Sequence, residues 1–164
     1  MGTPADRLPV VIAGGQAIER AEIVSPLDLA ERAAREALDA VPGLDRRIQR
    51  VTFVNVLAGG GPAPAAGLVH RLRLGEVARE TTTVGGNTPQ WLVNRAAAEI
   101  AAGRLEATLI AGGEAIRSRR HGGHASDAGP TFDPDPVVGD DRPGSGPAES
   151  AVGLVLPAHV YPML

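Results

Sequence analysis

The sequence predicts an α/β fold in which a layered, mostly parallel β-sheet is covered by helices. Short apolar runs rich in β-branched residues alternate with longer runs whose apolar residues recur at helical spacing. The predicted order is strand, helix, strand, helix, strand, helix, strand, which is typical of parallel sheets with helical connections. At 164 residues the chain is long enough for one compact domain, spanning residues 1–164.

The first predicted strand, Leu8–Ala13, contains three consecutive β-branched residues and ends at a pair of glycines, so we expect it to be buried. The first helix should begin at Ser25 and Pro26. Serine is a good N-cap, proline suits the first helical position, and Asp28 adds a negative charge to the first turn. Apolar residues at helical spacing extend this helix to about Val41.

The second strand is predicted over Arg50–Leu57 and the second helix over Ala63–Leu72. Gly59–Gly61 lies between them but lacks the Gly-Lys-Ser/Thr ending of a P-loop. Gly14–Gly15, after the first strand, lacks the third glycine of a dinucleotide-binding fingerprint. Both glycine runs are therefore interpreted as turns, and a nucleotide-binding α/β module is rejected.

A third unit follows, with a weakly alternating, threonine-rich strand over Val77–Thr83. Thr88 is the expected N-cap of the next helix and Pro89 its first residue. Gly103 is a suitable C-terminal cap for that helix. The strand Ala107–Ala111 completes the unit.

The composition changes after these elements. Residues 118–147 are rich in Gly, Pro and Asp and show hardly any apolar periodicity, which predicts a long irregular loop. One more strand is predicted over Ser150–Leu156. No helix is predicted after it, so the order of elements indicates a fold that is not complete within this sequence.

Composition excludes several kinds of chemistry. The chain has no cysteine, which rules out disulfides, thiolate metal sites and a cysteine nucleophile. It also has no lysine, which rules out a lysine Schiff base. A net charge of −3 argues against a broad nucleic-acid-binding surface. No signal peptide and no membrane-spanning run are evident, so we expect a cytoplasmic protein.

The glycine turn before the third helix is the leading candidate site. Gly85, Gly86 and Asn87 could present backbone N–H groups and the positive end of a helix dipole to an oxyanion or a thioester carbonyl. Alternatively, they form only a tight connection between strand and helix. The nearby hydroxyls belong to Thr83 and Thr88, and Thr88 is better explained as a helix cap than as a nucleophile.

Two weaker candidates lie in and beside the predicted loop. A metal site could be imagined from the loop's histidines and aspartates, but His-Gly-Gly-His is not a zinc spacing, and a solvated loop is favoured. Three arginines could meet ligand phosphates, although an exposed face is the favoured interpretation. His70 is expected to be an ordinary surface or packing residue. The loop residues are His121, His124, Asp127, Asp133 and Asp135, and the arginines are Arg117, Arg119 and Arg120.

Two blocks of the sequence resemble a known family. The run Gly85–Arg95, followed by an Ala-rich helix and Leu109–Ala115, is similar to the N-terminal half of the thiolase superfamily. It is most similar to the divergent acetyl-CoA acetyltransferase-like branch. Weaker similarity at both ends extends the resemblance over nearly the whole chain; it involves Pro9–Gln16, Ser25-Pro26, Leu156-Pro157 and Val160–Pro162.

The resemblance implies a fold and an assembly. Thiolases have two similar halves stacked as five layers, and they usually dimerise. By this resemblance, strand Val77–Thr83 lies next to the two-fold axis and pairs with its copy, while the loop 118–147 lies over the active site. The C-terminal half of the family is absent from this sequence. The resemblance therefore implies a homodimer or association with that half.

The resemblance also implies a chemistry and a departure from it. The family's nucleophilic cysteine sits where Gly86 stands, and its other catalytic groups, a histidine and a second cysteine, belong to the C-terminal half. An acyltransferase or carbon–carbon-bond enzyme of lipid metabolism, acting on acyl-CoA, would need that half. No cofactor is expected to be tightly bound, and a coenzyme A thioester is the implied ligand. The alternative is a non-catalytic partner subunit, since such relatives associate with OB-fold-containing proteins.

Overall fold

A computed structural model describes residues 7–121, 130–140 and 146–154. Its centre is a parallel four-stranded sheet with the order β3-β1-β2-β4, flanked by helices. The prediction of an α/β fold with a parallel sheet is confirmed. The elements are α1 (Pro26–Asp39), β1 (Arg50–Phe53), α2 (Pro64–Leu72), β2 (Ala78–Thr82), α3 (Thr88–Ala101), β3 (Thr108–Ala111), α4 (Ile116–Arg120), β4 (Val137–Val138) and α5 (Pro147–Ala151).

Helix α1 begins where the sequence predicts. The Ser25 hydroxyl accepts a hydrogen bond from the backbone N–H of Asp28, and the Asp28 carboxylate accepts one from the N–H of Ser25. This reciprocal capping box satisfies two donors that the helix itself cannot pair. The helix ends at Asp39, slightly before the predicted Val41.

The hydrophobic core lies between the sheet and helices α1 and α2. Because aromatic residues make up only 2% of the sequence, the core is aliphatic around a single fully buried Phe53. Small alanines on α1 allow close approach to the sheet. The buried cluster consists of Ala30, Ala34, Leu44, Ile48, Val51, Phe53, Ala65, Leu68, Leu72, Ala107 and Leu109.

Helix α3 covers the sheet much less completely. Only Thr88 and Leu92 are buried on this helix, although most of its residues are apolar. Trp91 and Val93 are exposed. Its C-terminal end matches the prediction, because Gly103 has a φ of 70° and its N–H donates to the carbonyl of Ile100.

The prediction of a buried strand over Leu8–Ala13 is wrong. This segment has no regular secondary structure, and its large side chains are exposed. Gly14–Gly15 is not a turn either: a Cβ on Gly15 would lie 2.1 Å from the carbonyl oxygen of Ala33, so this glycine allows close packing against α1. The turn at Gly59–Gly61 is confirmed, with positive φ angles at both ends.

Strand β4 was not predicted. It lies within the expected irregular loop 118–147, and its two residues pair in parallel with Thr81 and Thr82 of β2. Strand β2 is therefore not an edge strand along these two residues. Pairing of the whole segment Val77–Thr83 with a second copy, as the resemblance implied, does not fit this arrangement. Helix α4 also occupies the start of that loop.

The predicted last strand, Ser150–Leu156, is not observed over its described residues. Helix α5 extends to Ala151 and a turn covers residues 152–154. Residues 155 and 156 lie outside the described part of the chain. Among the helices of the described part, none combines the length and the apolar character needed to cross a membrane.

Candidate functional site

The candidate turn lies at the carboxyl end of the parallel sheet, between β2 and α3. Asn87 is the N-cap of α3 and Thr88 its first residue, so the helix begins one position earlier than predicted and Thr88 is not its N-cap. The carbonyl of Gly85 accepts a hydrogen bond from the N–H of Thr88 at 3.1 Å, which closes the turn. Carboxyl ends of parallel strands are the usual location of ligand sites in α/β folds.

Two backbone donors of this turn are available. Within the described part of the chain, the N–H groups of Gly86 and Asn87 have no hydrogen-bond acceptor. Both residues are exposed, and a Cβ built on Gly86 would meet no atom within 4 Å. The turn thus offers open space beside unpaired donors at the positive end of the α3 dipole, which favours a partially negative oxygen.

The two threonine hydroxyls near the turn lie in buried positions and not in the open space beside Gly86. Thr88 is buried as the first helical residue. The hydroxyl of Thr83 is buried and has no hydrogen-bond partner among the described residues. Gly139 packs closely against it, because a Cβ built on this glycine would lie only 2.7 Å from the hydroxyl oxygen. Neither hydroxyl is therefore placed as a solvent-accessible nucleophile.

A buried ion pair attaches α3 to the sheet below the turn. Arg95 of α3 donates from both terminal nitrogens to the two carboxylate oxygens of Glu80 on β2, at 2.8 and 3.2 Å. The same carboxylate accepts a hydrogen bond from the Thr52 hydroxyl of β1 at 2.8 Å. Glu80 is 7% exposed, so its charge is held almost entirely by these two partners.

A second carboxylate continues this network along the helix. Glu99 of α3 pairs with Arg50 of β1 and lies 3.5 Å from Arg95. Burial raises the pKa of Glu99, but the hydrogen bond from Arg50 and the charges of neighbouring arginines outweigh it. The pKa therefore lies below its ordinary value of 4.5. The guanidinium of Arg95 also lies 5.5 Å from the ring centre of Trp91.

Two arginines of the cluster after β3 donate hydrogen bonds to backbone carbonyls of distant loops. Arg117 donates to the carbonyls of Ala21 and Glu22, and Arg119 donates to the carbonyl of Leu57 at 2.7 Å. Arg117 and Arg119 therefore hold neighbouring loops through hydrogen bonds to backbone carbonyls. All three arginines are exposed, as was favoured from the sequence.

The residues of the imagined metal site are not brought together. Asp135 is fully buried and accepts hydrogen bonds from the N–H groups of Ala65 and Ala66, so it caps α2. Asp133 and His121 are exposed, and the His121 ring contacts the carbonyl of Arg117. No group of three potential metal ligands exists in the described ranges 7–121, 130–140 and 146–154.

His124 and Asp127 lie outside the described residues. His70 is exposed and packs its ring against Phe132 with the ring centres 5.6 Å apart, which confirms its expected surface and packing role.

Comparison with solved structures identifies the architecture. The chain is similar to the crystal structure of an SCP2-thiolase-like protein type 1 from Mycobacterium smegmatis, described as monomeric, with 25% identity and a TM-score of 0.54. The fold is thiolase-like. The match covers 60% of this chain and 22% of the Mycobacterium protein, so this chain corresponds to about a fifth of its length. No protein-family profile and no curated protein sequence matches the chain.

Two long-range contacts of the structure were missed from the sequence. The Glu80–Arg95 pair joins a strand to a helix 15 positions later, and the Asp135 cap joins positions 70 residues apart. Glu80 follows the charged Arg79 directly on β2, and its sequence neighbours do not indicate that it pairs with Arg95. No local pattern identifies Asp135 as a helix cap.

Proposed function

We propose that this chain is a thiolase-superfamily domain related to acyl-CoA acyltransferases, of the acetyl-CoA acetyltransferase-like kind, and that it binds a coenzyme A thioester at the Gly85–Asn87 turn. The observation that carries the proposal is the pair of unpaired donors, Gly86 and Asn87 N–H, beside open space at the start of α3. The similarity to the SCP2-thiolase-like structure supports the superfamily.

The proposed chemistry is polarisation of the thioester carbonyl. Two N–H groups and the helix dipole stabilise negative charge that develops on the carbonyl oxygen. The chain has no cysteine, and Gly86 has no side chain, so it forms no acyl-enzyme at this position. Any carbon–carbon bond formation or acyl transfer then depends on groups that another thiolase half supplies.

An alternative role is that of a non-catalytic thiolase-like subunit that supports a partner protein. The absence of a thiol at the turn favours this alternative, because a partner subunit has no need of a nucleophile. The two proposals differ in one observable property, since only the first requires a coenzyme A thioester to bind at the turn.

The test compares acetyl-CoA binding to the unmodified chain and to two variants by isothermal titration calorimetry. Gly86→Val should abolish binding because its side chain fills the space beside the two N–H groups. Gly75→Val is the matched control: Gly75 is also exposed, and a Cβ there also meets no atom within 4 Å. The control should bind as the unmodified chain does.

Each result has a defined meaning. Equal binding by the Gly86 and Gly75 variants excludes the turn as the site. Absence of binding by the unmodified chain contradicts the proposal and favours the partner-subunit role. Circular dichroism should show the same helix content in all three proteins, because both substitutions occupy open space.

A further inference from the structure

The face of the sheet that α3 covers carries buried polar side chains. Val51 and Phe53 of β1 belong to the core cluster under α1 and α2. Because side chains alternate between the two faces of a strand, Thr52 and its register neighbour Glu80 lie on the opposite face, towards α3. Both residues are buried. Helix α3 therefore packs on groups that need hydrogen-bond partners, and not on an aliphatic surface alone.

Four charged side chains join this face to α3 and form a chain of alternating sign. Glu80 of β2 pairs with Arg95 of α3 at 2.8 Å. Arg95 lies 3.5 Å from Glu99, one helical turn later, and Glu99 pairs with Arg50 of β1. We name Arg50, Glu80, Arg95 and Glu99 the ionic seam. Two of its charges come from the sheet and two from the helix, and none of the four side chains is more than 26% exposed.

Apolar packing alone gives α3 little preference for one register on the sheet. Its buried residues are Thr88 and Leu92, and four of its 14 residues are alanines. Alanine side chains are short and identical, so a face rich in them packs similarly after the helix shifts along its axis. Such a uniform contact leaves the register of the helix underdetermined, and another feature has to specify it.

The ionic seam does not tolerate such a shift. Moving α3 by one residue translates it by about 1.5 Å and turns it by about 100° around its axis. Arg95 and Glu99 would then leave their partners on the sheet, and partly buried charges would remain without an opposite charge beside them. Because unpaired buried charges are costly, the seam favours one register over its neighbours.

We propose that the ionic seam fixes the register of α3 on the sheet and thereby fixes where the turn at the start of α3 lies. Arg95 follows Asn87 by eight positions, slightly more than two helical turns, within one uninterrupted helix. A displacement at the seam is therefore carried to the N–H groups of Gly86 and Asn87. The seam residues are positioning residues, because they act through α3. Their effect on acetyl-CoA affinity rests on the proposed function, whereas the register does not.

The test removes the charges and keeps the packing. Replacing buried ion pairs by apolar side chains of similar volume often preserves or raises stability. Glu80→Gln is a milder second variant. Asp135→Ala is the matched control, since it breaks a buried ion pair and a helix cap at α2 and leaves the seam intact. The apolar variant combines Thr52→Val, which removes the hydroxyl that donates to Glu80, with Arg50→Met, Glu80→Met, Arg95→Met and Glu99→Met.

Double electron–electron resonance between two spin labels measures the register. The chain has no cysteine, so Gln90→Cys on α3 and Asp39→Cys on α1, both exposed positions, carry the only labels. A slip of one residue turns position 90 by about 100°, which moves its label by roughly 5–10 Å. We expect one narrow distance in the chain with an intact seam and in Asp135→Ala. The apolar variant should give a broad or multiple distribution, and Glu80→Gln should broaden it less.

Titration of the unlabelled proteins with acetyl-CoA measures the effect on the turn. The apolar variant should bind on the order of 10-fold more weakly, because displaced donors no longer meet the carbonyl oxygen. Asp135→Ala should bind as the unmodified chain does. Weaker binding by this control, to the same degree, would show that lost stability and not register explains the change, and this result overturns the proposal.

The distances decide the remaining outcomes. One narrow distance in the apolar variant, equal to that of the intact seam, overturns the proposal. If that variant does not fold, the same result for Glu80→Gln overturns it. Broadening with unchanged affinity overturns the link between the seam and the turn. If the unmodified chain binds no acetyl-CoA, the proposed function is excluded, and the distances still decide whether the seam fixes the register.

Discussion

Replacement of Asp135 provides the sharpest test of how the sheet is joined to helix α2. The carboxylate is fully buried and accepts hydrogen bonds from the N–H groups of Ala65 at 2.7 Å and Ala66 at 3.2 Å. It also pairs with Arg79 of β2 at 3.0 Å. One side chain therefore caps a helix, neutralises a cation and fixes the segment that leads into β4.

The cost of Asp135→Ala can be worked out from these contacts. Removing one partner of a buried ion pair costs about 3–5 kcal/mol, and losing an N-cap costs about 0.5–2 kcal/mol. The two losses overlap because they involve the same carboxylate, so they do not add fully. Arg79 is partly exposed and can regain water, which places the expected loss near the lower end, at about 3 kcal/mol.

Urea unfolding followed by circular dichroism measures this loss. Asp135→Asn should lose about 1–2 kcal/mol, because the amide keeps one oxygen acceptor but no charge. Asp133→Ala is the control: this side chain is exposed, and only the residue's backbone carbonyl accepts from Arg79, so we expect less than about 0.5 kcal/mol. A loss for Asp135→Ala no larger than the control would refute the assignment of Asp135 as a cap.

Two other predictions concern the remaining charged groups. Glu80→Gln leaves the Arg95 guanidinium without its anionic partner, so we expect the free energy of unfolding to fall by about 2–3 kcal/mol. Urea unfolding measures this change, and a loss below about 1 kcal/mol would contradict a buried ion pair. Acid should destabilise the fold, because Asp28 and Glu99 have pKa values below their ordinary 3.8 and 4.5. The unfolded chain binds protons at higher pH than the folded chain does, so stability is complete above about pH 4.5 and falls as pH drops through the folded pKa values. A flat unfolding free energy between about pH 6 and pH 3 would contradict this.

The cause of the Asp28 shift lies in α1 and its neighbour. Burial raises the pKa of Asp28, but the hydrogen bond and charge of Arg71, together with the capping bonds to Ser25, lower it further than burial raises it. The acid sensitivity therefore reports the capping box and the contact between α1 and α2, and a urea titration at several pH values measures it.

Local chemistry made most of the elements predictable. The Ser25–Asp28 capping box and the proline after it mark the start of α1, because the donors at a helix start need a nearby acceptor. The three longer strands and their helices follow from apolar spacing. The position of the turn Gly85–Asn87 at the start of α3 was likewise predictable, whereas its ligand role stays a prediction.

Long-range pairing accounts for the errors. Leu8–Ala13 has the composition of a strand, but composition does not specify whether a neighbouring backbone is available, and none pairs with it among the described residues. Strand β4 has only two residues, too few to produce a periodic signal. The imagined metal ligand Asp135 is a helix cap because the fold brings it next to α2, a contact that no local pattern encodes.

The Asp135 cap also has a consequence for the order of events during synthesis. Ala65 and the carboxylate that caps its helix are 70 positions apart in the chain. At about 5–20 residues per second, a ribosome adds Asp135 roughly 4–14 seconds after Ala65. During this interval the N–H groups of Ala65 and Ala66 lack the carboxylate that accepts their hydrogen bonds in the folded chain. The arrival of this one carboxylate, followed by β4 two residues later, secures a helix and the neighbouring strand in the same step.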